Sequence, residues 1–346
     1  MSRINYYVTG NTAKGFVNFI NSNLNGIEQI IVLKHESNKI KTKLIKRFIN
    51  HYEKTSNVEV LLSSLGKKYL DGVIVREKSL AIISDRLSNH TLKNATEFEL
   101  TDYIKEDSVP ELENSRNQFE SVIHDAYHQF AQGLNIHDEL EAIYINEMDF
   151  NRADAVANQF IDSFFSEVSK KEDQSIVYKR LFGTNTPEGS VNIVPELITT
   201  LDDAYFIKGR AGTGKSTFMK KVLKKCKDLG YDVELYHCSF DPESIDMVLV
   251  RELSFCIFDS TDPHEFYPNQ KGHETIDMYE KTVAPGTDEK YAEKIEAVTS
   301  HYKSYMKKGA TLLKESKQYL DRVEEKYELF YERENEIIED VLSRLS

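Results

Sequence analysis

The sequence predicts an α/β protein built from two tandem copies of one domain, each with a parallel sheet core and an appended helical hairpin. Three observations predict this fold. An apolar strand, a glycine-rich turn and an amphipathic helix follow one another between Ala204 and Leu229. Short segments of the first half recur in the second half at a constant spacing, and each half ends in long helix-forming stretches. At 346 residues the chain also exceeds the ~100 to 200 residues of one typical domain.

The glycine-rich turn matches the phosphate-binding pattern G-x-x-x-x-G-K-[ST] through Gly209, Gly214, Lys215 and Ser216. Glycines let backbone N–H groups surround a phosphate, and the helix that follows adds its positive end. The lysine reaches the β- and γ-phosphates, and the next hydroxyl binds Mg²⁺. We therefore predict that ATP or another NTP binds here with Mg²⁺. The predicted nucleotide-binding residues are Gly209, Arg210, Ala211, Gly212, Thr213, Gly214, Lys215, Ser216 and Thr217.

Two residues further along the chain complete the predicted site. Asp259 ends an apolar run, where a Walker B carboxylate would hold Mg²⁺ together with Ser216. His264 follows in the loop at the carboxyl end of that strand, where open α/β sheets bind their ligands. We predict catalytic roles for Lys215, Asp259 and His264, and metal binding by Ser216 and Asp259. The alternatives are a plain strand end at Asp259 and a purely structural histidine at His264.

The repeat relates residues 1–174 to residues 175–346. The segment Asn11–Asn18 matches Asn185–Asn192, and Asp71–Glu77 matches Asp246–Glu252, at an offset of 174 or 175 residues. A repeat of this length indicates a duplicated domain, because solenoid repeats are only ~20 to 50 residues long. The sequence therefore predicts two P-loop NTPase domains in tandem.

The first copy of the glycine-rich turn, from Lys34 to Thr42, has lost every glycine. Lys41 and Thr42 still match Lys215 and Ser216, but Glu36 would place a carboxylate beside the phosphates. Without glycine the loop cannot easily form a phosphate nest. We predict a folded first copy that binds no nucleotide and acts on the second copy by packing against it.

Each copy is predicted to end in a helical hairpin. In the first half the hairpin spans about residues 109–171 and breaks at Gly133-Leu134-Asn135, and in the second half it spans about residues 288–345 and breaks at Gly309. The polar segment Lys170–Gln174 is the predicted boundary between domains 1–174 and 175–346. Because a neighbouring domain can supply an arginine to a P-loop site, Arg76 and Arg86 are candidates for that role. The favoured alternative is that both are surface or structural ion-pair residues.

Composition limits the partners. The net charge of −13 and the pI of about 5.4 argue against nonspecific nucleic-acid binding, which requires a basic surface. No apolar run reaches the ~20 residues of a membrane helix, and the amino terminus carries no apolar leader, so we expect a cytoplasmic protein with no membrane partner. The three cysteines lie in apolar segments without metal or redox spacing, which predicts reduced core thiols.

The duplicated Asn-Thr-x-x-Gly segment, the GRAGTGKST turn and Asp259-x-Thr261-x-Pro263-His264 together resemble a family of duplicated P-loop proteins of Gram-positive bacteria. Its members are described as ATP-binding proteins or nucleotide kinases. The resemblance spans nearly the whole chain and implies a P-loop NTPase fold in each half, without naming a substrate. In that family the first copy usually has its own glycine-rich loop, and a glycine usually replaces Ser260. This chain departs from the family pattern at both places.

The sequence is compatible with three functions. The first is ATP hydrolysis coupled to a conformational change, as two fused copies favour. The second is a kinase that transfers the γ-phosphoryl group to a nucleotide or small molecule, and the third is a nucleotide-sensing module without turnover. No acidic residue directly follows Asp259, so the catalytic glutamate of many ATPase motors is missing from its usual place, which favours the second and third functions. The acceptor or protein partner cannot be read from a P-loop, because the loop contacts only phosphates.

Overall fold

A computed structural model describes residues 2–88, 92, 94–106, 111–262 and 264–345. His90, the first-copy counterpart of His264, lies outside the described residues. The first half contains the elements β1 (Arg3–Tyr7), β2 (Thr9–Thr12), β3 (Gly15–Asn18), α1 (Ile20–Asn23), β4 (Gln29–Lys34), α2 (Asn38–Tyr52), β5 (Val58–Leu62), β6 (Leu70–Val75), β7 (Leu80–Ser84), β8 (Ala95–Glu99), β9 (Lys105–Glu106), α3 (Glu111–Ile145) and α4 (Phe150–Phe164).

The second half follows the same order of elements as far as its last strand in the large sheet, and beyond that strand it adds two short helices. It contains β10 (Val177–Leu181), β11 (Gly183–Thr186), β12 (Gly189–Asn192), α5 (Val194–Ile198), β13 (Asp203–Lys208), α6 (Lys215–Asp228), β14 (Val233–His237), β15 (Ile245–Val250), β16 (Phe255–Asp259), β17 (His273–Asp277), α7 (Met278–Thr282), α8 (Thr287–Lys290), α9 (Ala292–Glu324), β18 (Tyr327–Glu328) and α10 (Tyr331–Arg344).

One mixed sheet of 12 strands runs through both halves in the order β17-β13-β16-β15-β14-β10-β1-β5-β6-β7-β4-β8. From the centre of the sheet outward, the strand order is β1-β5-β6-β7-β4-β8 in the first half and β10-β14-β15-β16-β13-β17 in the second half. Corresponding strands of the two halves therefore occupy equivalent positions. The halves meet where β1 and β10 run antiparallel, with Tyr7 opposite Leu181. The chain is therefore an α/β protein with one continuous sheet, and the predicted pair of separate sheet cores is wrong.

The sheet is not purely parallel, because β6 and β15 each run antiparallel to both neighbours. The connections explain this. A single short turn, Arg76–Lys78 followed by Ser79, joins β6 to β7, and the matching turn Arg251–Leu253 followed by Ser254 joins β15 to β16. Antiparallel strands can be joined by so tight a turn, whereas a parallel pair needs a crossover of a dozen or more residues. The prediction of a parallel sheet core is therefore wrong, because the sheet is mixed.

A buried charge network lies at the junction of the halves. The Arg180 guanidinium is almost fully buried, stacks on the Tyr6 ring with a centroid distance of 3.3 Å, and lies 2.8 Å from a Glu234 oxygen. Arg251 adds a second contact to Glu234 at 3.0 Å. Burial would raise the pKa of Glu234, but Arg180 and Arg251 outweigh it and lower the pKa to about 2. The junction thus depends on a carboxylate held between two guanidinium groups.

The predicted hairpin breaks are wrong. Helix α3 runs uninterrupted past Gly133, and α9 runs uninterrupted past Gly309, so neither glycine ends a helix. Instead α3 and α9 pack along each other. A Cβ at Gly309 would overlap the Phe130 ring, and one at Gly133 would lie 3.4 Å from the Met306 sulfur. Glycine therefore marks the close approach of two helices, whose packing compensates the ~1 kcal/mol that a mid-helix glycine costs.

The last helix of each half packs on the other half. Helix α10 packs against α2, and α4 packs against α6. Ile337 and Val341 consequently join the apolar core of the first half, while Ala157 joins that of the second half. A third cluster, on the opposite face of the sheet, contains residues of both halves. The predicted boundary at residues 170–174 lies between β-strand frameworks, but the two halves share their cores.

The cysteines only partly follow the prediction. All three thiols are free, and Cys226 and Cys256 are buried, with burial raising the pKa of Cys226 to about 12. Cys238 differs, because it lies in the wall of a cavity described below. Within the described residues, no helix combines the length and the apolarity that crossing a membrane requires.

Candidate functional site

The glycine-rich turn lies between β13 and α6, as the sequence predicts. Gly212 and Gly214 have φ values of 73° and 79°, in the left-handed region that favours glycine. Gly209 leads out of the strand, and Lys215 is the first residue of α6. The loop is therefore a tight structure that places the first N–H groups of a 14-residue helix behind a cavity.

The Lys215 ammonium is buried at the centre of this loop. Its Nζ atom donates a hydrogen bond of 2.6 Å to the Arg210 carbonyl and lies 3.5 Å from Oδ2 of Asp259. The Thr213 hydroxyl donates to the same Arg210 carbonyl at 2.8 Å. Strands β13 and β16 are direct neighbours in the sheet, which brings Lys215 and Asp259 together at their carboxyl ends. The predicted lysine and aspartate thus form one cluster.

Ser216 faces the same cavity, and its hydroxyl accepts a hydrogen bond of 3.2 Å from the Ile245 N–H at the start of β15. Thr217 also lines the cavity. Asp259 accepts a 2.6 Å hydrogen bond from the Thr261 hydroxyl through Oδ1, opposite the oxygen that faces Lys215. Within the described residues, no group of three or more His, Cys, Asp or Glu side chains is arranged to hold a metal alone. A metal here would need ligands from a bound molecule.

Asp246 is a residue of the site that the sequence analysis did not single out. It is the second residue of β15, is 7% exposed and lines the cavity. Burial, and then repulsion by Asp259, raise the pKa of Asp246 to about 7. The sequence repeat could have pointed to Asp246, because this residue is the first of the segment that matches Asp71–Glu77. Because β15 runs antiparallel to its neighbours, its beginning, where Asp246 lies, is at the same edge of the sheet as the carboxyl ends of the parallel strands.

The cavity has a volume of about 1660 Å³ and draws its walls from both halves. Besides the loop, its lining includes His137, Asp138 and Glu141 of α3, and Tyr302, Lys303 and Lys307 of α9. Burial lowers the pKa of His137 and raises that of Glu141. No sequence motif marks these helical residues. They reach the site because α3, from the first half, crosses over the loop of the second half.

The end of α3 contacts the loop directly. A Cβ at Gly212 would lie 2.6 Å from the Glu141 carbonyl oxygen, and one at Gly214 would lie 3.2 Å from the Met148 methyl carbon. Ala211 packs against the same helix end. The Arg210 side chain turns away from the loop toward Asp288, with a 2.9 Å ion pair, and stacks on the Tyr279 ring at 4.7 Å. Of the predicted binding residues, Arg210 is the one whose side chain is engaged elsewhere.

His264 lies in the cavity wall, as predicted, and is half-buried. Its backbone N–H donates to the Thr261 carbonyl at 2.7 Å, and its ring meets the Phe182 ring edge-on at 5.5 Å. Burial lowers its pKa, although Asp259 and Asp262 oppose that shift. A neutral imidazole at this position can accept or donate one hydrogen bond toward the cavity. The structure therefore permits the predicted role while also giving His264 a packing contact.

The two candidate arginines, Arg76 and Arg86, do not reach the site and form structural ion pairs instead. Arg76 pairs with Glu59 at 2.6 Å, and Arg86 pairs with Asp71 at 3.1 Å, both inside the first half. Neither lines the cavity. The first half contributes residues of α3 and α4 to the cavity lining instead. Arg210 is the single arginine among the described residues that line the cavity.

The first-half counterpart of the loop has a different local structure. Helix α2 begins at Asn38, with Ser37 as N-cap, so residues that match the glycine-rich loop form its first turn. Lys41, the counterpart of Lys215, is buried against Asp85. Glu36 does not occupy the position of a phosphate, because its carboxylate accepts a 2.6 Å hydrogen bond from the Tyr327 hydroxyl and contacts Arg116. The predicted loss of the nest is seen, but Glu36 is not its cause.

A carboxylate from the other half covers the start of α2. Glu324, the last residue of α9, accepts hydrogen bonds from the Ser37 hydroxyl at 2.5 Å, the Asn38 N–H at 2.8 Å and the Lys39 N–H at 3.1 Å. It is 3% exposed. These donors belong to the positive end of a helix, the position where an anion binds favourably.

Comparison of the chain with known protein families, curated proteins and solved structures finds no match.

Proposed function

We propose that the chain is a magnesium-dependent ATP-binding protein made of two P-loop domains in tandem, which binds one nucleotide in its second half and hydrolyses it. The arrangement that carries the proposal is the glycine-rich loop with Lys215 beside Asp259, opening into a cavity of about 1660 Å³. Two left-handed glycines before a helix start suit a phosphate, because they direct backbone N–H groups at one point. ATP is the simplest ligand that needs both this nest and a lysine.

Nucleotide binding would redirect Lys215. Its ammonium now donates to the Arg210 carbonyl, and a phosphate oxygen would replace that acceptor with a charged one. The α6 dipole and the loop N–H groups would bind the same phosphates from behind. This exchange keeps the buried ammonium paired throughout, which lowers the cost of burying it.

The donor set fits Mg²⁺. The Ser216 hydroxyl and the carboxylates of Asp259 and Asp246 are oxygen ligands, which Mg²⁺ prefers, and Mg²⁺ is usually bound by one or two carboxylates together with substrate phosphates. When bound, Mg²⁺ would neutralise charge that develops on the phosphates. Asp259 and Asp246 would hold its water shell, and Ser216 would contact it directly.

A comparison of charges within the chain supports a cation in the second half. In the first half, Lys41 pairs with Asp85 and Arg86 pairs with Asp71. In the second half, Lys215 pairs with Asp259, but Ser260 stands at the position of Arg86 and its hydroxyl bonds to the Phe266 backbone. Among the described residues, Asp246 forms no ion pair, so the second half lacks one positive charge that Mg²⁺ would supply.

A kinase is the second candidate, and the cavity size favours it. A volume of about 1660 Å³ exceeds the ~300 to 1,000 Å³ of typical ligand sites, so an acceptor could lie beside the nucleotide under α3 and α9. Phosphorylated acceptors are usually held by arginine, yet the single arginine of the described lining pairs with Asp288. The cavity therefore favours an acceptor without a phosphate group over a nucleoside monophosphate.

Two measurements test the proposal. Calorimetric titration of the full chain with Mg²⁺ and a non-hydrolysable ATP analogue should give one site, and zero or two sites would contradict it. Phosphate release from ATP alone would then support hydrolysis, whereas label transfer to an acceptor would support the kinase. Binding with neither would leave a nucleotide-sensing module. Lys215→Ala should weaken binding, while Lys41→Met, the same position in the first half, serves as the control.

A further inference from the structure

We propose that the first half retains a site for an oxyanion and that the resident ligand is the chain's own Glu324 carboxylate. In this interpretation Glu324 is a positioning residue that ties the end of α9 to the start of α2. The inference does not depend on nucleotide binding in the second half, since it concerns contacts between Glu324 and the start of α2.

The contacts are those of a bound anion. Three donors converge on the two carboxylate oxygens of Glu324, at 2.5, 2.8 and 3.1 Å, and two of them are backbone N–H groups of the first turn of α2. These N–H groups have no partner within their helix, so an anion satisfies them. Because Glu324 is 3% exposed, water does not compete for these bonds.

The position of the contact matches the loop of the second half. Ser37, Asn38 and Lys39 are the counterparts of Ala211, Gly212 and Thr213 at the repeat offset of 174. In the second half the end of α3 reaches that loop, since a Cβ at Gly212 would lie 2.6 Å from the Glu141 carbonyl oxygen and 3.0 Å from the Ile145 side chain. Glu324 thus occupies, in the first half, the place that the end of α3 occupies in the second half.

This contact has a consequence for the other half through α9. Helix α9, which is 33 residues long, ends at Glu324 against the first half and begins at Ala292 beside the cavity of the second half. Tyr302 and Lys303, on the same helix, line that cavity. The hydrogen bond from Tyr327 to Glu36 holds the chain just beyond α9 at a second point. Glu324 therefore sets where the α9 wall of the cavity lies.

Rescue by small anions tests the proposal. Glu324→Ala should lower the melting temperature by roughly 5 °C, because it leaves buried donors unpaired. Formate or acetate, added at constant ionic strength with chloride as the reference anion, should restore at least half of the lost melting temperature. The effect should level off at high anion concentration, as expected for a site that fills. The matched control is Glu325→Ala, which removes the same charge from the next, exposed residue and should show neither effect. A double variant, Ser37→Ala with Glu324→Ala, should bind formate more weakly.

The proposal is overturned if the melting temperature of Glu324→Ala equals that of the wild-type protein. It is also overturned if formate raises the melting temperature of Glu324→Ala no more than that of Glu325→Ala. If Glu324→Ala does not fold, Glu324→Gln provides the test. Amide exchange at Asn38 and Lys39 should then rise at least tenfold over the wild-type rate, while exchange in Glu325→Gln stays unchanged. Equal exchange in both glutamine variants would also reject the anion site.

Discussion

The ammonium nitrogen of Lys215 lies 3.5 Å from a carboxylate oxygen of Asp259, and the first half repeats this pair as Lys41 and Asp85. The surroundings differ. Lys215 faces a glycine-rich loop and an open cavity, whereas Lys41 lies under a helix start that Glu324 covers. The same lysine–aspartate pair can thus bind a ligand in one half and stabilise the fold in the other.

The first prediction separates these two roles. Lys215→Ala should weaken ATP binding about 10- to 100-fold, because one charge-assisted hydrogen bond to a phosphate contributes ~1.5 to 3 kcal/mol. Lys41→Met should leave the dissociation constant unchanged but lower the free energy of unfolding by ~3 to 5 kcal/mol, since it leaves Asp85 without its buried partner. Titration calorimetry and urea unfolding of both variants measure the two effects. Equal losses of ATP affinity would refute the asymmetry.

The second prediction concerns the metal. Asp259→Asn and Asp246→Asn should each weaken ATP binding when Mg²⁺ is present, because a carboxylate that faces the cation is lost. Without Mg²⁺ the same variants should bind ATP as well as the wild type or better, since each removes a negative charge near the phosphates. The readout is the ratio of dissociation constants with and without Mg²⁺. A ratio that stays at the wild-type value in both variants would assign these aspartates a structural role.

The third prediction tests the contact between the loop and α3. Gly212→Ala and Gly26→Ala both place a side chain at positive φ, 73° and 75°, which costs ~1 to 2 kcal/mol. Only Gly212→Ala also brings a Cβ against the Glu141 carbonyl, at 2.6 Å, while nothing lies within 4 Å of the Cβ position at Gly26. We expect Gly212→Ala to be clearly less stable and to lose ATP binding. Similar melting temperatures for the two variants would show that α3 does not press on the loop.

The fourth prediction concerns the junction of the halves and acid. The pKa of Glu234 is lowered from 4.5 to about 2, so its contribution to stability is complete above pH 4.5 and is lost as the pH falls toward 2. Glu234→Gln should lower the free energy of unfolding at pH 7 by ~3 to 5 kcal/mol and should flatten its pH dependence between these values.

Urea titrations at a series of pH values measure this change. The matched control is Glu252→Gln, which removes a more exposed carboxylate paired with Lys171 at 2.6 Å and should cost less than ~1 kcal/mol. A pH profile of Glu234→Gln that runs parallel to the wild-type profile would mean that another carboxylate controls acid unfolding.

The sequence by itself determined the local chemistry of the site. The order of strand, glycine-rich loop and helix follows from residues that are neighbours in the chain, because glycine adopts the left-handed backbone of Gly212 and Gly214 without steric cost. The matching pairs Lys41 with Asp85 and Lys215 with Asp259 follow from the repeat. His264 and Asp259 could be assigned to the same edge, because carboxyl ends of neighbouring parallel strands meet there.

The tertiary structure alone decided how the two halves combine. Gly133 and Gly309 suggested helix breaks, because a glycine inside a helix is unfavourable by ~1 kcal/mol, but the packing of α3 against α9 outweighs that cost. Glu324 lies 287 residues from Ser37, and no local pattern announces a contact at that separation. Helices α4 and α10 each pack on the other half, and this depends on which apolar faces contact each other. A periodic pattern in the sequence shows that a helix has an apolar face but does not show which element covers it.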